Sequence, residues 1–314
     1  MKAILHLGSC LLFNRLRNII ISVISLFIIM SVDIMIAQET GSFTYPKIPD
    51  NITSKDAKIE YVILNYWDNF NYDSLSTSQA EQVFIDFISI LDKIDTKFYN
   101  DAFFAMCLNM MESAEVMDFM IDCSQKYLYE KGSPSRNHQM LSALIQTVLN
   151  STELDSNQKE TAQKMLTNCN RNSFNSVAPD FKFETVTGKI DNLYNNTSDY
   201  TLIFFFDPLC QSCLVMGEEI YKSEIINEFA KNMNVSLLYI TPYIDDKEKL
   251  NTYFIDLPEG WILGFNPEEK IIREKLYFWE YIPSLYLIDS NKKIILKDAL
   301  PEDIETYFSS YISQ

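Results

Sequence analysis

The stretch YTLIFFFDPLCQSCLVMGEEI, Tyr200 to Ile220, decides how the rest of the chain is read. An apolar run ends at Asp207-Pro208, and Cys210 and Cys213 follow three residues apart. A proline disfavours helical geometry in the residue before it, so Asp207 is extended and a helix starts near Leu209 or Cys210. Cys210 then sits at a helix N-terminus, beside N–H groups that lack intrahelical partners and at the positive end of the dipole. That setting favours thiolate over thiol. Leu209, Cys213, Met216 and Ile220 fall on one stripe, so Cys213 turns inward. One helical turn separates the two sulfurs, a spacing a disulfide can bridge.

Four uses of such a pair compete. A structural bridge between adjacent turns closes a tiny loop and constrains the unfolded chain little. Zinc asks for four ligands, and the two histidines, His6 and His138, lie far from this stretch in sequence. Inert buried thiols are the third use. Redox exchange fits best, because ionisation helps Cys210 both as attacker and as leaving group.

Outward from this point the pattern is mixed. TLIFFF and VSLLYI read as buried strands, FKFETVTGKIDNLY as a hairpin, and SLYLIDSNKKIILKDA as a second hairpin turning at Ser290–Asn291. Helical segments are expected at about Cys210–Lys231, Lys247–Asp256, Glu268–Trp279 and Glu302–Tyr311. Strands alternating with helices argue an α/β layer. Upstream, from Ser54 to about Asn170, the periodicity is helical throughout. Val83, Phe84, Phe87, Leu91 and Ile94 share one helix face, as do Leu141, Leu144, Ile145, Val148 and Leu149. Ser133-Pro134-Ser135 interrupts two helices, with Ser133 or Ser135 as a cap. Tyr66, Trp67 and Phe70 read as core, and the polar stretch before Pro179 reads as a joint near Ser173–Pro179.

The chain of 314 residues is long enough for two domains, and its 47% hydrophobic content supports real cores. Seven glycines and ten prolines are few for an all-β protein. Arg15 and Arg17 precede the apolar run Ile19–Val32, and Ala37 offers a small residue for cleavage. This is the pattern of a secretory signal; an uncleaved anchor over Ile19–Ala37 is the other reading. Cys10 lies ahead of the apolar run, where lipidation is not expected. The formal charge is −17 and becomes more negative without this leader, which excludes nucleic acid and anionic lipid headgroups as partners.

SVAPDFKFETVTGKI, LIFFFDPLCQSC and YIPSLYLID, in this order, resemble the thioredoxin fold. They are most similar to the exported thioredoxin-like reductases of the TlpA/ResA type, over about Val177–Gln314. The region before them, with YVILNYWDNFNYDS and YLYEKGSPSRN, resembles a domain of unknown function found ahead of such modules in Bacteroidota. The resemblance makes Cys210 the attacking and Cys213 the resolving cysteine. It matches Pro283 to the cis-proline facing the active disulfide, with Ile282 offering backbone to an extended client. Three positions depart from the pattern. Phe204 stands where thioredoxin has its buried acid, Met216 where ResA-type proteins place theirs, and Leu209 replaces the usual tryptophan. Asp207, Glu218 and Glu219 are the nearby candidates for a proton relay, although the two glutamates also fit a solvated helix face.

The expected architecture is therefore a signal or anchor over 1–37, an all-α helical domain over 38–172 and an α/β thioredoxin-like domain over 173–314. The expected function is an exported thiol–disulfide oxidoreductase, working in the reducing direction in the periplasm or cell envelope. Its cofactor requirement is none beyond the redox-active Cys210–Cys213 disulfide, and no metal is expected. Its partners would be envelope protein thiols and disulfides and a membrane or periplasmic electron donor. The alternative is a non-catalytic binding module that uses the helical domain and a thioredoxin-like platform. Cys107, Cys123 and Cys169 read as buried thiols, with a Cys107–Cys123 bridge as the other option.

Overall fold

A computed structural model describes residues 43–110, 113–150, 154–243 and 261–312. The leader and the helix expected at Lys247–Asp256 lie outside the described residues. The chain forms two compact units, the first ending at Met120 and the second starting at Ile121.

The first unit holds helices α1 (Lys55–Asn65), α2 (Thr77–Leu91) and α3 (Tyr99–Met110), and α4 (Ala114–Ser124) runs through the division. Ser76 and Gln79 form a capping box that starts α2, and Val83, Phe84, Phe87 and Leu91 bury along one face as expected. Ile94 lies beyond the helix end. Tyr66 and Trp67 are core, with ring centroids 5.0 and 4.9 Å from Phe87. Burial leaves the Tyr66 hydroxyl needing an acceptor, and it donates to the Val83 carbonyl at 3.0 Å.

The second unit begins upstream of the joint expected near Ser173–Pro179. A π-helical turn (Gln125–Tyr129) leads into α5 (His138–Leu149) and α6 (Ser156–Asn170). The cap of α5 is Asn137, whose side chain accepts from Met140 N at 3.0 Å, rather than Ser133 or Ser135. Ser133 Oγ instead donates to Tyr127 O at 2.7 Å, closing the turn before the helix.

The sheet that follows contains β1 (Lys182–Thr185), β2 (Ile190–Asn192), β3 (Tyr200–Phe205), β4 (Val235–Thr241), β5 (Trp261–Phe265), β6 (Ser284–Asp289) and β7 (Ile294–Ala299). Its order is β2-β1-β5-β4-β3-β6-β7, with β3, β4 and β5 parallel and the rest antiparallel. Strand side chains alternate between faces, so a central strand buried on both sides reads as unbroken apolar sequence. Leu202, Phe204 and Phe206 enter one core with Leu237, Tyr239 and Leu285. Ile203 and Phe205 enter the other with Leu238, Ile240 and Tyr286. Both expected hairpins form.

Two of the expected helices shift. The helix expected over Cys210–Lys231 is two, α7 (Gln211–Lys222) and α8 (Glu224–Asn232). Ser223 separates them, because its hydroxyl accepts from Ile226 N and begins a second helix. The helix expected over Glu268–Trp279 shrinks to α9 (Lys270–Arg273). It is closed by Lys275 at φ 49°, with Leu276 N bonding Ile271 O and Lys275 N bonding Ile272 O. Strand β5 went unread in the sequence, although its apolar run is bounded by turn residues. The final helix, α10 (Pro301–Ile312), lies where it was expected.

Strand β7 carries two extra residues against β6, one of them where Leu285 pairs with Ala299 but Leu287 with Leu296. Regular alternation would send Lys297 and Asp298 to opposite faces, and this bulge frees both from it. Lys297 Nζ donates to the carbonyls of Asn168, Cys169 and Arg171, capping the end of α6. Burial brings its pKa down to about 8. Asp298, at φ 45°, faces Lys131 and Arg136.

Two outcomes test this packing. A Cβ on Gly264 of β5 would lie 2.7 Å from the Glu184 carbonyl of β1. Gly264→Ala should therefore cost about 1–3 kcal/mol of unfolding free energy in urea titration. His138, stacked on Tyr129, is held neutral by burial and then by the charges of Lys297 and Arg136, although a hydrogen bond to the Tyr129 backbone works the other way; its pKa falls to about 2. The unfolded chain binds a proton near pH 6.5 that the folded chain refuses, so stability drops as pH falls through 6.5. At pH 5 the loss should reach about 2 kcal/mol, and His138→Asn should flatten that dependence.

Candidate functional site

The site is assembled where β3 leaves the sheet. Phe206 N still reaches Ile240 O, but Asp207 faces Pro208 and the ladder stops. Asp207 then organises the turn. Its carboxylate accepts from Leu209 N at 2.7 Å, and its carbonyl accepts from Cys210 N at 3.1 Å. Its own N–H donates to Cys213 Sγ at 3.4 Å. Cys210 is the N-cap residue of α7, with φ −87° and ψ 119°, and its carbonyl accepts from Cys213 N and Leu214 N. The helix thus begins where the proline rule placed it.

The two thiols are chemically unlike. Cys210 is half-buried and Cys213 is sealed from solvent. Partial burial pushes the Cys210 thiol up, but hydrogen bonds outweigh it and hold the thiol below its ordinary value. These come from the Ser212 hydroxyl, the Cys213 thiol and the N–H groups of Cys213 and Ser212. Ser212 Oγ lies 3.0 Å from Cys210 Sγ. Cys213 is pushed far up, first by burial and then by the neighbouring Cys210 and Asp207, despite the Asp207 N–H.

Because β3 and β6 are antiparallel, Ser284 stands opposite Phe205, and the residues before it lie at the cysteine end of the sheet. The Ile282–Pro283 peptide is cis. Ile282 packs against the same core cluster as Cys210 and Cys213. Phe204 lies beneath, stacked 5.6 Å from Phe206 and edge-on to Tyr239 at 4.9 Å. Met216 packs partly buried against the same core. Leu209 is 70% exposed beside the pair.

Of the candidate relays, Asp207 alone touches the site. Glu218 and Glu219 are exposed on the outer face of α7, and Glu218 pairs with Lys222. A face holding Cys213, Gly217 and Ile220 inward turns both glutamates to water, as the solvated-face reading had it. Sequence reasoning missed Ser212, although a hydroxyl between two cysteines at a helix start was the available signal. It also missed Lys131 and Asp298. Lys131 Nζ donates to Pro283 O at 2.7 Å and pairs with Asp298 at 2.8 Å, both side chains fully buried. Arg136 adds a second cation to Asp298 at 2.7 Å. Among the described residues no group of three or more His, Cys, Asp or Glu is placed to hold a metal.

A thioredoxin-like protein from Bacteroides caccae matches 86% of this chain and 99% of its own, with a TM-score of 0.75 and 26% identity. The C-terminal part of the chain is a thioredoxin-like fold. The C-terminal domain of an uncharacterised Bacteroides fragilis protein is 32% identical to this chain, covering 44% of it and 99% of the other, at a TM-score of 0.41. The thioredoxin domain of a Bacteroides vulgatus thiol-disulfide oxidoreductase is 17% identical over 45% of this chain and 98% of its own, at 0.36. Ahead of the thioredoxin-like part, residues 30–172 match a domain of unknown function (DUF5106). No curated protein matches the chain.

The inequality of the thiols is directly measurable. Iodoacetamide at pH 7 should modify Cys210 and leave Cys213 untouched in the folded, reduced protein. Ser212→Ala removes one hydrogen bond to the thiolate, so it should raise the midpoint of the alkylation profile. At pH 7 the rate should fall by a factor of roughly 2–10.

Proposed function

We propose that this protein is an exported thiol–disulfide oxidoreductase acting on disulfides of cell-envelope proteins in the reducing direction. The observation that carries the reading is the pair itself: a half-exposed Cys210 with a lowered pKa, hydrogen-bonded to a buried Cys213 one turn deeper. Thiolate accessibility makes an attacker, and a neighbouring buried thiol makes a resolver.

The Cys210 thiolate attacks one sulfur of a client disulfide. A mixed disulfide forms, and the other client sulfur leaves as thiolate. Cys213 then loses its proton and attacks Cys210 Sγ, which breaks the mixed disulfide and releases the second client thiol. The client gains two electrons and the protein is left with a Cys210–Cys213 disulfide. A dithiol donor of the membrane or periplasm restores the thiols. The Asp207 N–H, which donates to Cys213 Sγ, stabilises the anion that develops there, and the Asp207 carboxylate is the base we propose for its proton. Export rests on the basic and apolar leader over residues 1–37, and direction on the resemblance to ResA-type reductases.

Cys210→Ser should reduce a model protein disulfide at the uncatalysed rate. Cys213→Ala should accumulate mixed disulfides through Cys210, visible on non-reducing gels and reversed by dithiothreitol. A reductase should equilibrate with glutathione nearer to about −270 mV than to about −120 mV. Equal activity of Cys210→Ser and wild type would remove the reading. A Cys210–Cys213 pair locked in one oxidation state across that range would favour a binding platform.

A further inference from the structure

The loop that presents Ile282 is held at both ends by one buried charge cluster. At its far end the Pro283 carbonyl accepts from Lys131 Nζ at 2.7 Å. At its near end Glu280 N donates to Asp298 Oδ2 at 3.4 Å. Lys131 and Arg136 share the Asp298 carboxylate, and Arg136 also donates to the Asp298 carbonyl at 2.6 Å. Between the two anchor points Tyr281 stays 50% exposed, with Lys131 Nζ 4.9 Å from its ring centre.

The lysine itself is rigidly supplied. It follows the π-helical turn Gln125–Tyr129, a kind of helix irregularity found disproportionately at functional sites. The loop after it is closed by Asn137 N on Leu128 O at 3.0 Å, Ser133 Oγ on Tyr127 O and Arg136 Nε on Tyr129 O. These residues lie within the stretch that matches the domain of unknown function, whereas Pro283 and Asp298 belong to the thioredoxin-like part. Lys131 is a buried cation with its head on the Pro283 carbonyl, and desolvation works against the stability its ion pair adds.

We propose that Lys131 is a positioning residue for client recognition: by gripping Pro283 and, through Asp298, Glu280, it sets Tyr281–Ile282 as a preformed edge for an extended polypeptide. The proposal rests on the redox reading of Cys210 and Cys213 and names the kind of substrate that site selects. Clients are disulfides carried on extended peptide backbone, which can pair with Ile282, in preference to small disulfides, which cannot. A preformed edge avoids the cost of ordering the loop at each encounter.

The test compares two mixed disulfides of 2-nitro-5-thiobenzoate, one with a ten-residue extended peptide through its single cysteine and one with free cysteine. In both, the reduced Cys210 thiolate attacks the cysteine sulfur and expels the coloured thiolate. Cys213 then releases the peptide or cysteine thiol, so the leaving group and the electron count are the same. Lys131→Met removes the donor while leaving Asp298 paired with Arg136. Wild type should prefer the peptide, and Lys131→Met should lower the peptide rate about five- to tenfold while the cysteine rate stays within about twofold. Lys131→Arg keeps the charge but displaces the donor, and the same ratio of rates is read on it should Lys131→Met not fold. An unchanged ratio, equal losses on both disulfides, or a wild type without preference for the peptide overturns the role of Lys131. A wild type that reacts with neither disulfide, its thiols titrating as reduced, overturns the redox reading and the positioning role with it.

Discussion

The interactions on which the site depends are those that the sulfur of Cys210 makes with Ser212 and Cys213 at the start of α7. Nothing about a cysteine in the middle of a strand or helix would make it half-exposed and readily ionised. The seven residues from Asp207 to Cys213 produce that result through hydrogen bonds made almost wholly within themselves. Asp207 is pinned as the last extended residue, Pro208 forbids earlier winding, and Cys210 is left as cap with its side chain facing outward. Everything else in the thioredoxin-like part can be understood as a means of holding that short segment still. β3 is an interior strand of a seven-stranded sheet, between β4 and β6, and is buried on both faces, so the point where it releases the chain is fixed from two sides.

Much of this was legible because it is local. The strand, the proline, the helix start and the inward turn of Cys213 and Ile220 are all rules of spacing over a few residues, although Leu209, read onto the same stripe, is exposed. The resemblance added what spacing cannot reach, the cis peptide at Ile282–Pro283, at the end of the sheet where β3 releases the chain. What stayed hidden is of another kind. Ser223 interrupts a run whose apolar period continues across it, so periodicity alone joined two helices. WILGF is shorter than the windows in which alternation can be recognised, and its partner strand β1 is only four residues long. Lys131 and Asp298 left no trace at all. A lysine in a polar loop and an aspartate at a strand end look solvated until the fold buries them against each other.

The replacement of the expected acid by Phe204 has a coherent surrounding. Phe206 stacks beside it and Tyr239 stands edge-on, in the same core cluster that takes in the buried Cys213. Burial in that core raises the cost of ionising the inner sulfur, and Asp207 has its amide and carboxylate on the turn itself. The backbone N–H that reaches the inner sulfur belongs to Asp207, the last residue before Pro208. Glu218 and Glu219 contribute solubility to the outer face of α7 and stand apart from the exchange.

Helix α6 ends on three carbonyls that are satisfied by one ammonium group belonging to the last strand, 126 to 129 residues downstream. During synthesis those carbonyls emerge long before Lys297 does. The end of α6 must wait, hydrated and frayed, until the C-terminal hairpin arrives. A chain halted anywhere before β7 holds its upstream helix unfinished, so completion of the early segment is a late event in the life of the nascent polypeptide.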